Sequence, residues 1–289
     1  MIRDLLTDWA LAEHQISDSQ FGFCLTRNTN QPLLFFAILV TAKKEKMKVY
    51  TAFLDLLAAY DSDPREKLCR HAKNQDSAVF ERYHSSMYTG CLYLLINGDQ
   101  FSEVALNRGL KQGCPLSPLL YSLYNNYWTE RCCYCPGFSS NPSLTDYTDD
   151  IALTSNTAVN LQLQLNKFYD YSLFKGLKLN TDTTIFMVFF SRGNSAIPTF
   201  TYDGTPLEIV TEFKYLGLTL TRDGSMLTAA EKMADNFRSV IARVYRICDS
   251  KDTKHRKHAM LWLFQVFALT AGLYGCQVWA TSSLTYDSP

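Results

Sequence analysis

The sequence predicts an α+β chain, and three observations carry that prediction. Short β-prone runs are closed by hairpin turn pairs, Asn97-Gly98 and Asp203-Gly204. Apolar residues at helical spacing lie between a capping residue and a stop signal, as from Asn156 to Gly176. Near Gly224 the composition shifts from strand-rich to helix-rich, which makes it the best boundary between residues 1–224 and 225–289. With 289 residues, 47% of them hydrophobic, the chain can bury a real core as one large domain or two modest ones.

The elements follow in order. Asp4 to Ile16 has helical spacing, with Leu5, Leu6, Trp9 and Leu11 on its apolar side, and residues 20–31, QFGFCLTRNTNQ, form a polar loop. PLLFFAILVT, at 32–41, fits a buried helix or a strand, and the lysines at 43, 44, 46 and 48 face solvent by default or phosphate by function. VYTAFLD is a strand ending in Asp55, after which Asp63 and Pro64 give the cap and first turn of a helix. Residues 79–97 combine a helix with the strand-like CLYLLIN. In GLKQGCPLSP, at 109–118, Gly109 and Gly113 allow close backbone approach, and Ser117-Pro118 opens a helix carrying Leu119, Leu120, Leu123 and Tyr127.

Leu144 to Tyr147 and Ile151 to Leu153 read as a hairpin with Asp149 and Asp150 at its tip. The helix that follows carries Leu161, Leu165, Phe168 and Leu173, and TIFMVFF, at 184–190, is a strand. Residues 198–222 are β again, and from Ser225 to Cys248 a helix presents Met233, Phe237, Ile241 and Tyr245. Ala259 to Ala280 is uncharged and follows the basic run KDTKHRKH, the look of a membrane span. Gln265, Thr270, Gly272, Gly275 and Gln277 dilute it, so a buried helix, a turn and a strand is the reading adopted, with no membrane partner.

Lysine plus arginine and aspartate plus glutamate number 28 each, a formal net charge of zero. That counts against a simple nucleic-acid binder with a basic surface, though a local basic groove fits within a neutral whole. Nine irregularly spaced cysteines with no signal peptide suit a reduced intracellular compartment, nucleus or cytoplasm. Cys132 and Cys135 make a lone CxxC with no second pair at zinc-ribbon spacing, so no zinc site is expected. The adjacent carboxylates Asp149 and Asp150 repel unless a cation offsets them. Mg²⁺ is the natural candidate, since it binds through a few carboxylates together with substrate phosphates. Such a site needs a third acid from elsewhere, and an Asp-Asp turn facing solvent explains the same two letters.

Taken in order, FLDLLAAYD at 53–61, GLKQGCPLSP at 109–118, YTDD at 147–150, GLKLN at 176–180, FKYLG at 213–217 and LYGCQVW at 273–279 resemble the successive motifs of non-LTR retrotransposon reverse transcriptases. The resemblance covers the chain from about Gln20 onward. It implies a right-hand polymerase palm, an antiparallel sheet with packed helices, plus fingers, and a helical thumb-like region from about residue 225. It also implies RNA-directed DNA polymerisation from deoxynucleotides, with an RNA template, a DNA primer and two Mg²⁺ ions, Mn²⁺ being able to substitute.

By the same resemblance Asp55, Asp149 and Asp150 are the catalytic, metal-binding acids. Tyr60 would block a ribose 2′-hydroxyl or serve as a core aromatic, Gln112 and Gly113 would lie by nucleotide and template, and Arg27 would touch the triphosphate. Phe213 to Gly217 would grip the primer. The chain departs from the pattern at Cys24, where a basic residue is usual, near Gln31, where an acid is usual, at Thr148, where Ala is common, and at Gln277, where Glu is usual. It also has Thr183 where the family shows a lysine proposed to protonate pyrophosphate, and general acid help of that kind is worth roughly 10²–10⁴-fold. These departures open a second expectation, an inactive remnant that binds nucleic acid or protein. An endonuclease is expected to be supplied elsewhere or lost.

Overall fold

The computed structural model describes residues 2–13, 15–16, 39, 42–62, 92–97, 100–105, 108–125, 144–147, 150–190, 197–248 and 256–276. The polar loop at 20–31 with Arg27, most of 32–41, the helix start at Asp63-Pro64, the helix expected before residue 92, the lone CxxC, Asp149 and Gln277 lie outside them. The chain divides into two compact units. The first comprises Met1–Pro32, Tyr50–Phe186 and Pro198–Glu208; the second comprises Leu33–Val49, Met187–Ile197 and Ile209–Pro289.

In the first unit, α1 (Ile2–Ala12) buries Leu6 and Ala10, while Leu5, expected on the apolar side, is exposed. Helical spacing places Ala10 four residues beyond Leu6, on one face, and leaves Leu5 beside that face. The central strand β1 (Val49–Asp55) is followed by α2 (Ala59–Ser62), the pair β2 (Leu92–Asn97) and β3 (Gln100–Ala105), and α3 (Ser117–Asn125). Asn97 sits opposite Gln100 in the β2–β3 pair, and Gly98 of the expected Asn97-Gly98 turn lies outside the described residues. Strands β4 (Leu144–Tyr147) and β5 (Asp150–Ser155) form the expected hairpin, and β5 also pairs antiparallel with β1. Val49, Ala52, Phe53 and Leu54 on β1, and Ile151 to Leu153 on β5, are all buried, so these strands are covered on both faces.

Helix α4 (Ala158–Lys175) packs on β5. Its N-cap is Thr157, one residue beyond the expected Asn156: Thr157 has an extended backbone, and its hydroxyl accepts the Asn160 amide at 3.3 Å. Gly176 ends the helix as expected, at φ 79°, with its amide on Ser172 O at 2.8 Å. Leu161, Leu165 and Phe168 are buried as predicted, and full burial of a Phe side chain contributes about 2–3 kcal/mol. Leu173 is not buried; Ser172 faces inward instead, with its hydroxyl 2.8 Å from Tyr202 OH. Strand β6 (Ile185–Phe189) begins in this unit, and β7 (Thr201–Tyr202) with β8 (Thr205–Pro206) turns at Asp203 and Gly204, both at positive φ. Gln162 docks β7 with two bonds, Nε2 donating to Thr201 O at 2.8 Å and Oε1 accepting Thr201 N at 3.0 Å.

The short β9 (Glu208–Ile209) begins on the last residue of the first unit, and in the second unit the chain goes on to a hairpin of β10 (Glu212–Tyr215) and β11 (Leu218–Thr221). Helix α5 (Leu227–Cys248) packs on β11 and buries Ala229, Met233, Val244 and Cys248. Tyr245, expected on that face, is exposed. Residues spaced by fours advance about 40° per step on a helix of 3.6 residues per turn, so a stripe drawn from Met233 has left the buried face by Tyr245. Val244 takes its place. The chain continues as α6 (Arg256–Leu263), a π-helical segment (Phe264–Leu269) and α7 (Thr270–Leu273), then turns at Tyr274. Among the described residues no helix is long and apolar enough to cross a membrane.

Candidate active site

The register of β1 on β5 sets Asp55 directly opposite Asp150, and β4 sets Tyr147 against Asp150 from the other side. Directly opposed residues of an antiparallel pair share one face of the sheet, with Cβ atoms about 4.5–5.5 Å apart. Two of the three predicted acids therefore meet, although nearly a hundred residues of chain separate them. Asp149 lies outside the described residues, and among those described no three His, Cys, Asp or Glu side chains cluster.

A single turn clasps Asp55. After an isolated bridge between Leu56 and Leu179, Leu57 N donates to Lys178 O at 2.8 Å, and Asn180 N donates to Asp55 O at 2.8 Å. Asp55 N in turn donates to the buried Thr184 Oγ1 at 3.1 Å. Among the described residues the Asp55 carboxylate is held at one oxygen: Thr183 Oγ1 donates to Oδ2 at 2.5 Å, and Asn180 Nδ2 approaches the same atom at 3.4 Å. Oδ1 has no hydrogen bond among the described residues, so one oxygen is fixed and the other is presented. This clasp was not expected from the sequence. The polar run NTDTT between a helix stop and a strand was its only signal, since Asn and Thr side chains bond locally to backbone and carboxylate.

The loops that carry Tyr60 and the Gly109–Pro118 motif are also joined. Leu110 N donates to Tyr60 O at 2.8 Å, and Gly109, at φ 87°, packs so closely that a Cβ there would lie 3.1 Å from Asp61 Cα. Both the conformation and the crowding call for glycine. The Tyr60 ring stacks on the buried Tyr121, centroids 4.9 Å apart and planes 22° from parallel, so α3 fixes its orientation. Gln112 and Gly113 form an exposed turn; Gly113 is at φ 79° with open space around its Cβ position, so the backbone alone requires glycine there. The Ser117 hydroxyl donates to Lys111 O at 2.5 Å, bracing this loop rather than capping α3.

Carboxylate oxygens are hard donors, and two carboxylates opposed across neighbouring strands repel unless a cation offsets them. The facing of Asp55 and Asp150, with one Asp55 oxygen braced and one presented, fits a divalent cation coordinated through oxygen. In the second unit, the FKYLG motif forms a hairpin with a two-residue turn in which Leu216 and Gly217 have φ 45° and 85°. Positive φ at both positions makes it a type I′ turn. Tyr274, from the LYGCQVW motif, donates its hydroxyl to Leu216 O at 2.6 Å.

Residues 1–220 match the family described as reverse transcriptase (RNA-dependent DNA polymerase). A Pol polyprotein from the type-2 retrotransposable element R2DM of Drosophila melanogaster is 30% identical over 65% of this chain. An RNA-directed DNA polymerase from the mobile element jockey of Drosophila funebris is 25% identical over 84% of it. The chain spans 19% of the first and 28% of the second. Among solved structures, apo telomerase from Candida tropicalis covers 98% of the chain at TM-score 0.57 and 12% identity, half of its own length being matched. The same telomerase in complex with a TWJ fragment of telomeric RNA covers 99% of the chain and 47% of its own, at TM-score 0.54 and 13% identity. These likenesses speak to the fold, which is α+β with a palm sheet and helical regions.

Proposed function

The chain belongs to the reverse transcriptase family, as a domain of the non-LTR retrotransposon kind, and from that premise we propose that it polymerises DNA on an RNA template. The observation that carries the reading is the opposition of Asp55 and Asp150 across β1 and β5. A primer 3′-oxygen forms a bond to the α-phosphorus of a deoxynucleoside triphosphate while the bond to pyrophosphate breaks in line, and the 3′-hydroxyl proton passes to solvent water. Asp55 and Asp150, together with Asp149, would hold two Mg²⁺ ions, which when bound supply positive charge to the attacking and leaving oxygens.

The chain's own residues prepare that geometry. Thr183 and Asn180 fix Asp55 Oδ2, and Oδ1 carries no hydrogen bond among the described residues. Tyr60, held flat on Tyr121 and tied to Leu110, offers a rigid ring edge that would exclude a ribose 2′-hydroxyl. Gln112 and Gly113, exposed at their turn, would meet nucleotide and template; Arg27 is assigned to the triphosphate by resemblance. The β10–β11 hairpin would grip the primer, and the helices from residue 227 would serve as the thumb.

Primer extension on an RNA template tests the reading, comparing the parent with Asp55→Asn and Asp150→Asn. The expected result is incorporation by the parent and none above background from either variant. Equal incorporation by all three would end the assignment. Thr183 in the usual place of a lysine favours a second reading, a domain that binds template and primer without extending, and that outcome would be binding by the parent with no incorporation.

A further inference from the structure

The second unit contains a cavity of about 500 Å³ that the polymerase reading does not use. Lys43 and Lys46 line it from a helical turn, Phe190 from the end of β6, Thr211 from the approach to β10, and Arg222 and Asp223 from the end of β11. Its volume lies within the range of small-ligand sites. Three cations share it with one carboxylate, and that carboxylate is already engaged. Burial pushes the Asp223 carboxyl up, but the Thr221 hydroxyl at 2.6 Å, the Ser225 amide at 3.1 Å and the charge of Lys43 together hold it below its ordinary value. Counted over the lining residues alone, three positive charges face one negative charge.

The wall is also built in advance of any ligand. Arg222 N donates to Thr211 O at 2.9 Å and Arg222 O accepts Phe190 N at 3.0 Å, so three lining residues are tied through their backbones. Lys46 and Phe190 both take left-handed backbone, at φ 58° and 59°. Left-handed backbone is strained for a residue that carries a side chain, and strain of this kind gathers at ligand sites. The Phe190 ring lies over Gly224, where a Cβ would come within 2.5 Å of it, so only glycine leaves room for the ring. An aromatic wall beside paired cations suits one ligand chemistry, a planar base carrying a phosphate.

We propose that this cavity binds a nucleotide, with its base against Phe190 and its phosphate on Lys46 and Arg222. Every residue it needs belongs to the second unit, whereas the paired acids belong to the first, so binding here does not require nucleotidyl transfer. The nucleotide is either free or part of a single strand.

The full chain is titrated in EDTA with a fluorescent single-stranded oligouridylate, followed by anisotropy, and competed with UMP, UTP or inorganic phosphate. A parallel sample is photocrosslinked with the 5-iodouridine strand and the adducted peptide identified by mass spectrometry. The expected adduct falls on Phe190. Lys46→Glu and Arg222→Glu, each checked for folding by circular dichroism, should lower its yield at least about tenfold. Removing one phosphate contact should also make the salt slope shallower by about one. Competition by UMP or UTP would identify free nucleotide as the ligand, and competition by strands alone would identify a strand. Adducts only outside the cavity, or charge-reversal variants that crosslink like the parent, would overturn the proposal. Asp55→Asn is expected to abolish extension and keep the adduct, which separates failure here from failure of the polymerase reading.

Discussion

Thr183 stands where a general acid is expected and instead supports the carboxylate that would hold the metal. A neutral hydroxyl donating to a carboxylate is a charge-assisted bond worth about 1.5–3 kcal/mol, and at 2.5 Å this one is short. If the bond persists through the transition state, losing it slows turnover about 10- to 100-fold. Thr183→Val keeps the shape and removes the donor, so that fall is expected in kcat with KM for the nucleotide little changed. Thr183→Ser should restore most of it. Mn²⁺ binding, read by electron paramagnetic resonance, should weaken in the Val variant and recover in the Ser variant. A Val variant that binds Mn²⁺ and extends primers as the parent does would show that Thr183 merely fills space.

At the scale of elements, the β10–β11 hairpin and the turn after α7 depend on each other. Gly217 is at φ 85°, and a Cβ there would lie 2.9 Å from Tyr274 Cε1, while the Tyr274 hydroxyl holds Leu216 O. Gly217→Ala therefore meets a left-handed backbone penalty of about 1–2 kcal/mol together with displacement of the Tyr274 ring. Tyr274→Phe loses the hydrogen bond to Leu216 O, about 0.5–1.5 kcal/mol. Urea midpoints should rank parent, Tyr274→Phe, Gly217→Ala in falling order, and an unchanged Gly217→Ala midpoint would mean that the turn is not so constrained.

Tyr202 makes the contact of β7 with α4 sensitive to alkali. Burial pushes its phenol above the ordinary value of 10.0, the Ser172 hydrogen bond opposes this, and the negative charge of Asp203 adds to it. A folded value raised above the unfolded one contributes stability that is present below pH 10 and is lost as pH rises through the folded value. Tyr202→Phe should lower stability slightly at pH 7 and flatten the decline above pH 10 in urea titrations. A parent and variant that decline in parallel would remove Tyr202 from the alkaline limb.

Much of this architecture was legible because it rests on local rules. VYTAFLD is β1 to the residue, Asp203-Gly204 turns β7 into β8, and Gly176 stops α4. The parts that were not legible depend on partners distant in the chain. Ser172 faces inward because Tyr202 is there to bond it, and Leu173 is left outside. The Asp55 clasp needs a turn more than a hundred residues away, and no spacing rule reports on such a meeting. The facing of Asp55 and Asp150 was expected only through resemblance. It is produced by the strand register, which puts both residues on one face of the sheet.

For the molecule as a whole, charge balance decides how nucleic acid would be approached. The formal net charge is zero, so there is little long-range field to draw in a polyanion, whatever local cations do at contact. Steered association can reach 10⁸–10⁹ M⁻¹s⁻¹ and falls steeply with salt, whereas unsteered docking runs at about 10⁵–10⁷ M⁻¹s⁻¹. Association with a labelled template-primer in stopped flow should therefore be slow and vary little between about 50 and 200 mM salt. Dissociation should carry most of the salt dependence, because Lys46, Arg222 and similar cations act only within about a Debye length, ~10 Å at 0.1 M. An association rate near the steered limit at low salt, falling severalfold over that range, would show that the charges are segregated on the surface strongly enough to overcome a neutral total.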